Sequence, residues 1–143
     1  MMRHQLKSAI VGAIGVGALM PTSVTVSYAQ ESSPVKFAPG NFGTMVSGTI
    51  TGHEYVDYLL GAKAGQEMFA ELSIAESNGD GSIYFNILPP GSDGVAIYNS
   101  ANDGNSTTVQ LRSDGTYAIR VYQLGNDADT DKTTDFNLDL SIQ

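Results

Sequence analysis

The chain has 143 residues, with seven Lys and Arg against fifteen Asp and Glu and a formal charge of −8. It holds no cysteine and no tryptophan. Disulfides, thiol nucleophiles, cysteine-held metals and lipidation on cysteine are therefore excluded, and the acidic balance disfavours nucleic acid and anionic lipid as partners.

The N-terminus reads as a secretory signal over residues 1–29. Arg3, His4 and Lys7 form a positive head, Ala9 to Met20 form an apolar run, and Ser27, Tyr28 and Ala29 give a small-x-small cleavage pattern. The apolar run is shorter than the ~20 residues needed to span a bilayer, so no membrane segment is expected after cleavage. Removing residues 1–29 takes away Arg3 and Lys7 and no acid, which moves the formal charge from −8 to −10. Residues 30–143 have the length of one domain. An exported, anionic domain of this kind is steered toward a basic partner.

Gln30 to Pro34 reads as a polar leader. Val35 to Ala38 is a short first strand closed by Pro39 and Gly40. From Gly43 to Thr51, Val46, Gly48 and Ile50 alternate with Ser47, Thr49 and Thr51, the pattern of a strand with one wet face. A turn at Gly52, His53 and Glu54 leads into Tyr55 to Leu60, and a second turn at Gly61 to Gly65 leads into a longer strand marked by Met68, Ala70, Leu72 and Ile74. Ser77 to Gly81 is a loop of turn formers. Ile83, Phe85 and Ile87 mark a strand that Pro89 and Pro90 end. Val95 to Tyr98 and Thr108 to Leu111 are two short strands on either side of a loop from Asn99 to Ser106.

The most informative run is Gly115 to Gln123. Tyr117, Ile119 and Val121 share one face, Ala118, Arg120 and Tyr122 the other, and Gly125, Asn126 and Asp127 then break the strand with a polar turn. Phe136, Leu138, Leu140 and Ile142 alternate with polar residues in a last strand. Short alternating segments punctuated by Gly, Pro, Asn and Asp predict an all-β fold: one antiparallel β-sandwich of about eight or nine strands.

The chemistry available for catalysis is thin. With His4 in the leader, His53 is the one histidine of residues 30–143, so a catalytic triad would have to use a turn residue with no nucleophile elbow in the chain. The acids sit mostly in turns, so no buried general acid is expected and no enzyme activity is predicted. No cofactor is expected. Asp127, Asp129, Asp131 and Asp135 resemble the start of an EF-hand loop, but Lys132 and Leu138 stand where Gly and Glu are required. A weak calcium site on that loop is the remaining metal candidate. Arg120 and Tyr122 suit an interface anchor or, equally, a cross-strand pair.

Several stretches resemble the periplasmic inhibitors of g-type lysozyme: Val35 to Phe37, Ser47 to Gly52, Tyr55, Tyr58, Ala62 to Gln66, Arg120, Val121 and Gln123, then Asn126 to Ala128, Lys132, Thr133 and Phe136. The resemblance runs through nearly all of residues 30–143 in order. It implies a periplasmic or secreted protein that plugs the substrate cleft of g-type lysozyme, or of another basic protein, with its loops and so protects peptidoglycan. It places partner contacts at His53, Tyr55, Arg120, Tyr122, Gly125, Asn126, Asp127 and Asp129. Where the family carries an aromatic and two arginines, this chain has His53, Gly125 and Asp129. Self-association into a homodimer stays open. Asp57, Tyr58, Ala64 to Gln66, Tyr84 to Asp93 and Gly115 to Val121 also resemble the bacterial pre-peptidase C-terminal domain, which implies a stand-alone module binding carbohydrate or protein, with calcium as an option.

Overall fold

Alternating side chains give the molecule two sheets with their apolar faces turned toward each other. The computed structural model describes residues 30–143 and, ahead of them, Gly15, Gly17 and Pro21, so the expected signal at 1–29 lies outside the described residues. The elements are β1 (Gln30–Pro34), β2 (Gly43–Thr51), β3 (Tyr55–Ala62), β4 (Glu67–Ser77), β5 (Ile83–Leu88), β6 (Tyr98–Asn99), α1 (Ser100–Asp103), β7 (Ser106–Gln110), β8 (Gly115–Gln123), α2 (Gly125–Asp129) and β9 (Thr133–Ile142).

One sheet has the order β1-β3-β8-β5-β6 and the other β2-β9-β4-β7. Every pairing is antiparallel except β1 with β3, which is parallel. The all-β sandwich read from the sequence is the architecture found. Tyr117, Ile119 and Val121 of β8 and Phe136, Leu138 and Leu140 of β9 lie in the core with Ile83, Phe85, Ile87, Met68 and Ile50, each no more than 1% exposed. These are the inward positions of their strands, and burying each large side chain contributes about 1.5–3 kcal/mol of transfer free energy. The Tyr58 and Phe136 rings meet edge-on at 6.3 Å across the sheets.

Three segments differ from the sequence reading. Gln30 to Pro34, read as a leader, is β1, and Val35 to Ala38, read as the first strand, carries no ladder. The side chains of β1 are largely exposed, so only the open edge of β3 specifies it, and an edge leaves no periodic pattern. Val35 and Phe37 pack against the core without joining the sheet, although the Val35 amide still donates to the Leu59 carbonyl at 2.8 Å. Of Val95 to Tyr98 only Tyr98 enters a strand, because Val95 and Ile97 are exposed and no buried face holds them. The loop after Asn99 contains α1, started by the Asn99 side chain accepting from the Ala101 amide.

Candidate functional site

Among the described residues seven connections pass from one sheet to the other, and at one end of the sandwich three of them interlock. They are the turn after β2 (residues 52–54), the loop after β4 (residues 78–82) and the segment that joins β8 to β9 through α2 (residues 124–132). Gly125 opens α2 with φ +63° and exposed backbone, so the expected polar turn is a single helical turn.

Asp127 points inward from α2 and is fully buried. Its carboxylate accepts the amides of Asp80 at 2.9 Å and Ser82 at 2.9 Å. These backbone donors, Asp80 first and Ser82 next, hold its pKa below the ordinary carboxylate value, against the opposing effect of desolvation. Leu124 returns a bond from its own amide to the Ser82 carbonyl at 3.0 Å. Asn78 closes the other flank, its Oδ1 accepting from the Thr133 amide and its own amide donating to the Thr133 carbonyl.

Gln123 ties the third connection in. It continues the inward parity of Tyr117, Ile119 and Val121, and its Nε2 donates to the Lys132 carbonyl at 2.8 Å and the Gly52 carbonyl at 3.3 Å. Its Oε1 accepts from the buried Thr134 hydroxyl at 2.8 Å. The Gly52 amide completes the ring by donating to the Lys132 carbonyl. Glycine is required at two places here. A Cβ on Gly79 would come 2.4 Å from Asp127 Oδ1, and one on Gly52 would meet Asp131 Oδ1 at 2.6 Å.

What this scaffold leaves on the surface is a small polar ridge. His53 Nε2 lies 3.0 Å from Asp129 Oδ1, which joins the first and third connections, and Asn126, Gly125 and the half-exposed Leu124 stand beside them. Tyr55, Arg120 and Tyr122 sit on the adjoining outer face of the five-stranded sheet. Arg120 forks onto Asp57 with Nε–Oδ1 at 2.8 Å and Nη2–Oδ2 at 2.9 Å, and its guanidinium lies 4.4 Å from the Tyr55 ring centre. The Asp57 bond raises the guanidinium pKa further above its ordinary value. Tyr122 donates to Asn86 Oδ1 at 2.9 Å and sits against Tyr84, with burial raising its hydroxyl pKa. Arg120 and Tyr122 are thus held in cross-strand contacts on a face that leads up to the ridge.

The acids of the calcium candidate diverge. Asp127 is consumed by the Asp80 and Ser82 amides, Asp129 faces His53, and Asp135 accepts from the Thr49 hydroxyl at 2.6 Å. Among the described residues no group of three or more acids, histidines or cysteines is placed to hold a metal ion. The sequence reading missed Asp57, Asn78 and the structural part played by Gln123. For Gln123 the signal was available as a polar residue at a core-facing position; for Asp57 it was not, since only the register of β3 on β8 sets it opposite Arg120.

No protein-family model matches the chain. A relative from Escherichia coli (strain K12), an inhibitor of g-type lysozyme, is 31% identical over 118 residues, covering 80% of this chain and 84% of its own length. The Aeromonas hydrophila periplasmic inhibitor of g-type lysozyme is 30% identical, and its crystal structure matches with a TM-score of 0.73 over 82% of this chain and all of that one. A mutant of the Escherichia coli inhibitor matches at 29% identity and a TM-score of 0.63, over 80% of this chain and 100% of its own. The pre-peptidase C-terminal domain of a Bacillus anthracis collagenase shares 12% identity at a TM-score of 0.50, covering 82% of this chain and 97% of its own, a likeness of fold alone. The chain belongs to the family of periplasmic inhibitors of g-type lysozyme.

Proposed function

We propose that this protein works in the periplasm as an inhibitor of g-type lysozyme, and that the locked end of the sandwich is the part that enters the enzyme's substrate cleft. The observation that carries the second statement is the convergence of three connections on the buried Asp127 and Gln123, which leaves His53, Gly125, Asn126 and Asp129 exposed on a backbone fixed by hydrogen bonds. A ridge ordered before binding loses little conformational entropy when it docks, and this is the main route by which a small rigid loop cluster gains affinity. Inhibition of this kind requires no chemistry from the inhibitor. It requires that peptidoglycan and the ridge compete for the same cleft.

Tyr55 and Tyr122 extend the contact onto the sheet face, with Arg120 presenting one edge of a guanidinium already fixed by Asp57. The acidic surface speeds encounter with a basic enzyme and makes the rate fall with added salt. Adding purified residues 30–143 to g-type lysozyme acting on cell walls should slow lysis in proportion to the inhibitor added. His53→Ala combined with Asn126→Ala should weaken inhibition about tenfold or more while stability falls by no more than about 1 kcal/mol. Unchanged lysis at micromolar excess of the intact domain would overturn the proposal.

A further inference from the structure

Along one side of the sandwich, below the ridge, the sheets part. β1 ends one sheet and β2 ends the other, and two adjoining clefts of about 310 and 150 Å³ open between them, sharing Glu31, Thr49 and Val56. Gly48 keeps the floor clear: a Cβ there would stand 2.7 Å from both the Tyr58 hydroxyl and Phe136 Cζ.

Among the described residues, the wall formed by β2 is an unguarded strand edge. Phe42 accepts from the Ile142 amide on the β9 side, while Thr51 is bonded through its amide and carbonyl to Glu54 on the other. Alternation therefore turns the backbone groups of Met45, Ser47 and Thr49 outward. Sheets ordinarily protect such edges by brevity, charge, proline or a bulge. The other three edges follow that rule, since β6 has two residues, β7 has five, and β1 has five including Glu31 and Pro34. β2 has nine residues, no charge, no proline and an unbroken register on β9. Among the described residues, the charged ones that line the two clefts are Glu31 and Glu54, both acids.

We propose that this side cleft receives an extended basic segment of another protein, which adds as a strand to β2 and sets Lys or Arg side chains against Glu31 and Glu54. Unpaired backbone supplies the attraction for an extended chain, and alternate side chains supply the selection. A second copy of β2 is a poorer occupant because it brings no cation to either acid. The clefts border the ridge at Glu54 and Tyr55, but the strand addition is read at β2 and does not depend on how the ridge acts.

The test uses residues 30–143 and a short fluorescein-labelled peptide of alternating lysine and valine, followed by fluorescence anisotropy. Saturable binding is expected, with slowed amide exchange at Met45, Ser47 and Thr49. Methylating the peptide's backbone nitrogens should weaken it about tenfold or more, as should Glu31→Gln with Glu54→Gln in the protein. Ser47→Pro, which removes an outward amide from an edge strand, should block binding while the circular dichroism of the fold is kept. Equal binding by the methylated peptide, or no binding by the parent, would overturn the proposal. So would concentration-dependent dimerisation abolished by Ser47→Pro, which would make a second copy the occupant. Lysozyme inhibition is not read here, so either failure leaves the inhibitor proposal standing.

Discussion

The two ends of the sandwich are closed by different means. At the locked end, buried side chains do the joining: Asp127 and Gln123 reach across to the backbones of other connections. At the far end, where β3 turns into β4 and β7 into β8, the joining is mostly backbone to backbone. The Gly65 amide donates to the Leu111 carbonyl, Leu111 to Gln66, and Glu67 and Gln143 exchange a pair. The Tyr117 hydroxyl donating to the Ser113 carbonyl at 2.7 Å and Asp114 accepting from the Ala64 amide at 2.7 Å add the side-chain share. The ridge is thus fixed from beneath by buried side chains, with His53 and Asp129 paired on its surface, whereas the far turns are closed by their own backbone.

That contrast predicts a graded response to substitution. Asp127→Ala should be the most damaging change, because it strands the Asp80 and Ser82 amides and loosens 124–132, which keeps its bonds to Ser82, Gly52 and Gln123; a fall of about 10 °C in the thermal midpoint is expected, with inhibition lost. The same group sets a pH signature. Its folded pKa is depressed below the ordinary 3.8, so its stabilising contribution is complete above the unfolded value and is lost as pH falls through the folded one. Denaturant midpoints of wild type should therefore drop more steeply than those of Asp127→Asn as pH falls below the ordinary carboxylate value.

Gly79→Ala comes next, at about 1–3 kcal/mol, since its methyl would press on the Asp127 carboxylate with no room to shift. Gly65→Ala at the far end meets open space and carries only the cost of its φ of +91°, about 1–2 kcal/mol. Asp114→Ala, which removes one exposed bond at that end, should cost about 0.5–1 kcal/mol by urea unfolding. The smallest stability effect belongs to Asp129→Asn, whose exposed pairing with His53 is worth about 0.2–1 kcal/mol, yet this change should alter inhibition measurably. Equal sensitivity of both ends to these substitutions would remove the contrast.

Much of the sandwich was legible because period-2 alternation is a direct imprint of burial on one face, as in Phe136 to Ile142. What the pattern could not carry was anything specified by backbone alone, such as β1, or by register alone, such as Asp57 opposite Arg120. The ridge was half legible. Gly125, Asn126 and Asp127 announced a turn, and His53 another, but nothing in the order of residues said that Asp127 faces inward while Asp129 meets His53. Two acids two positions apart in one helical turn point to different sides, so one became scaffold and the other surface.

The most direct test of the account maps the bound face by hydrogen exchange of residues 30–143 with and without g-type lysozyme. The account predicts new protection across 52–54 and 124–131, reaching Tyr55 and Tyr122, with 63–66 and 111–115 unchanged. Protection centred on the far end, with the ridge exchanging as in the free protein, would contradict it.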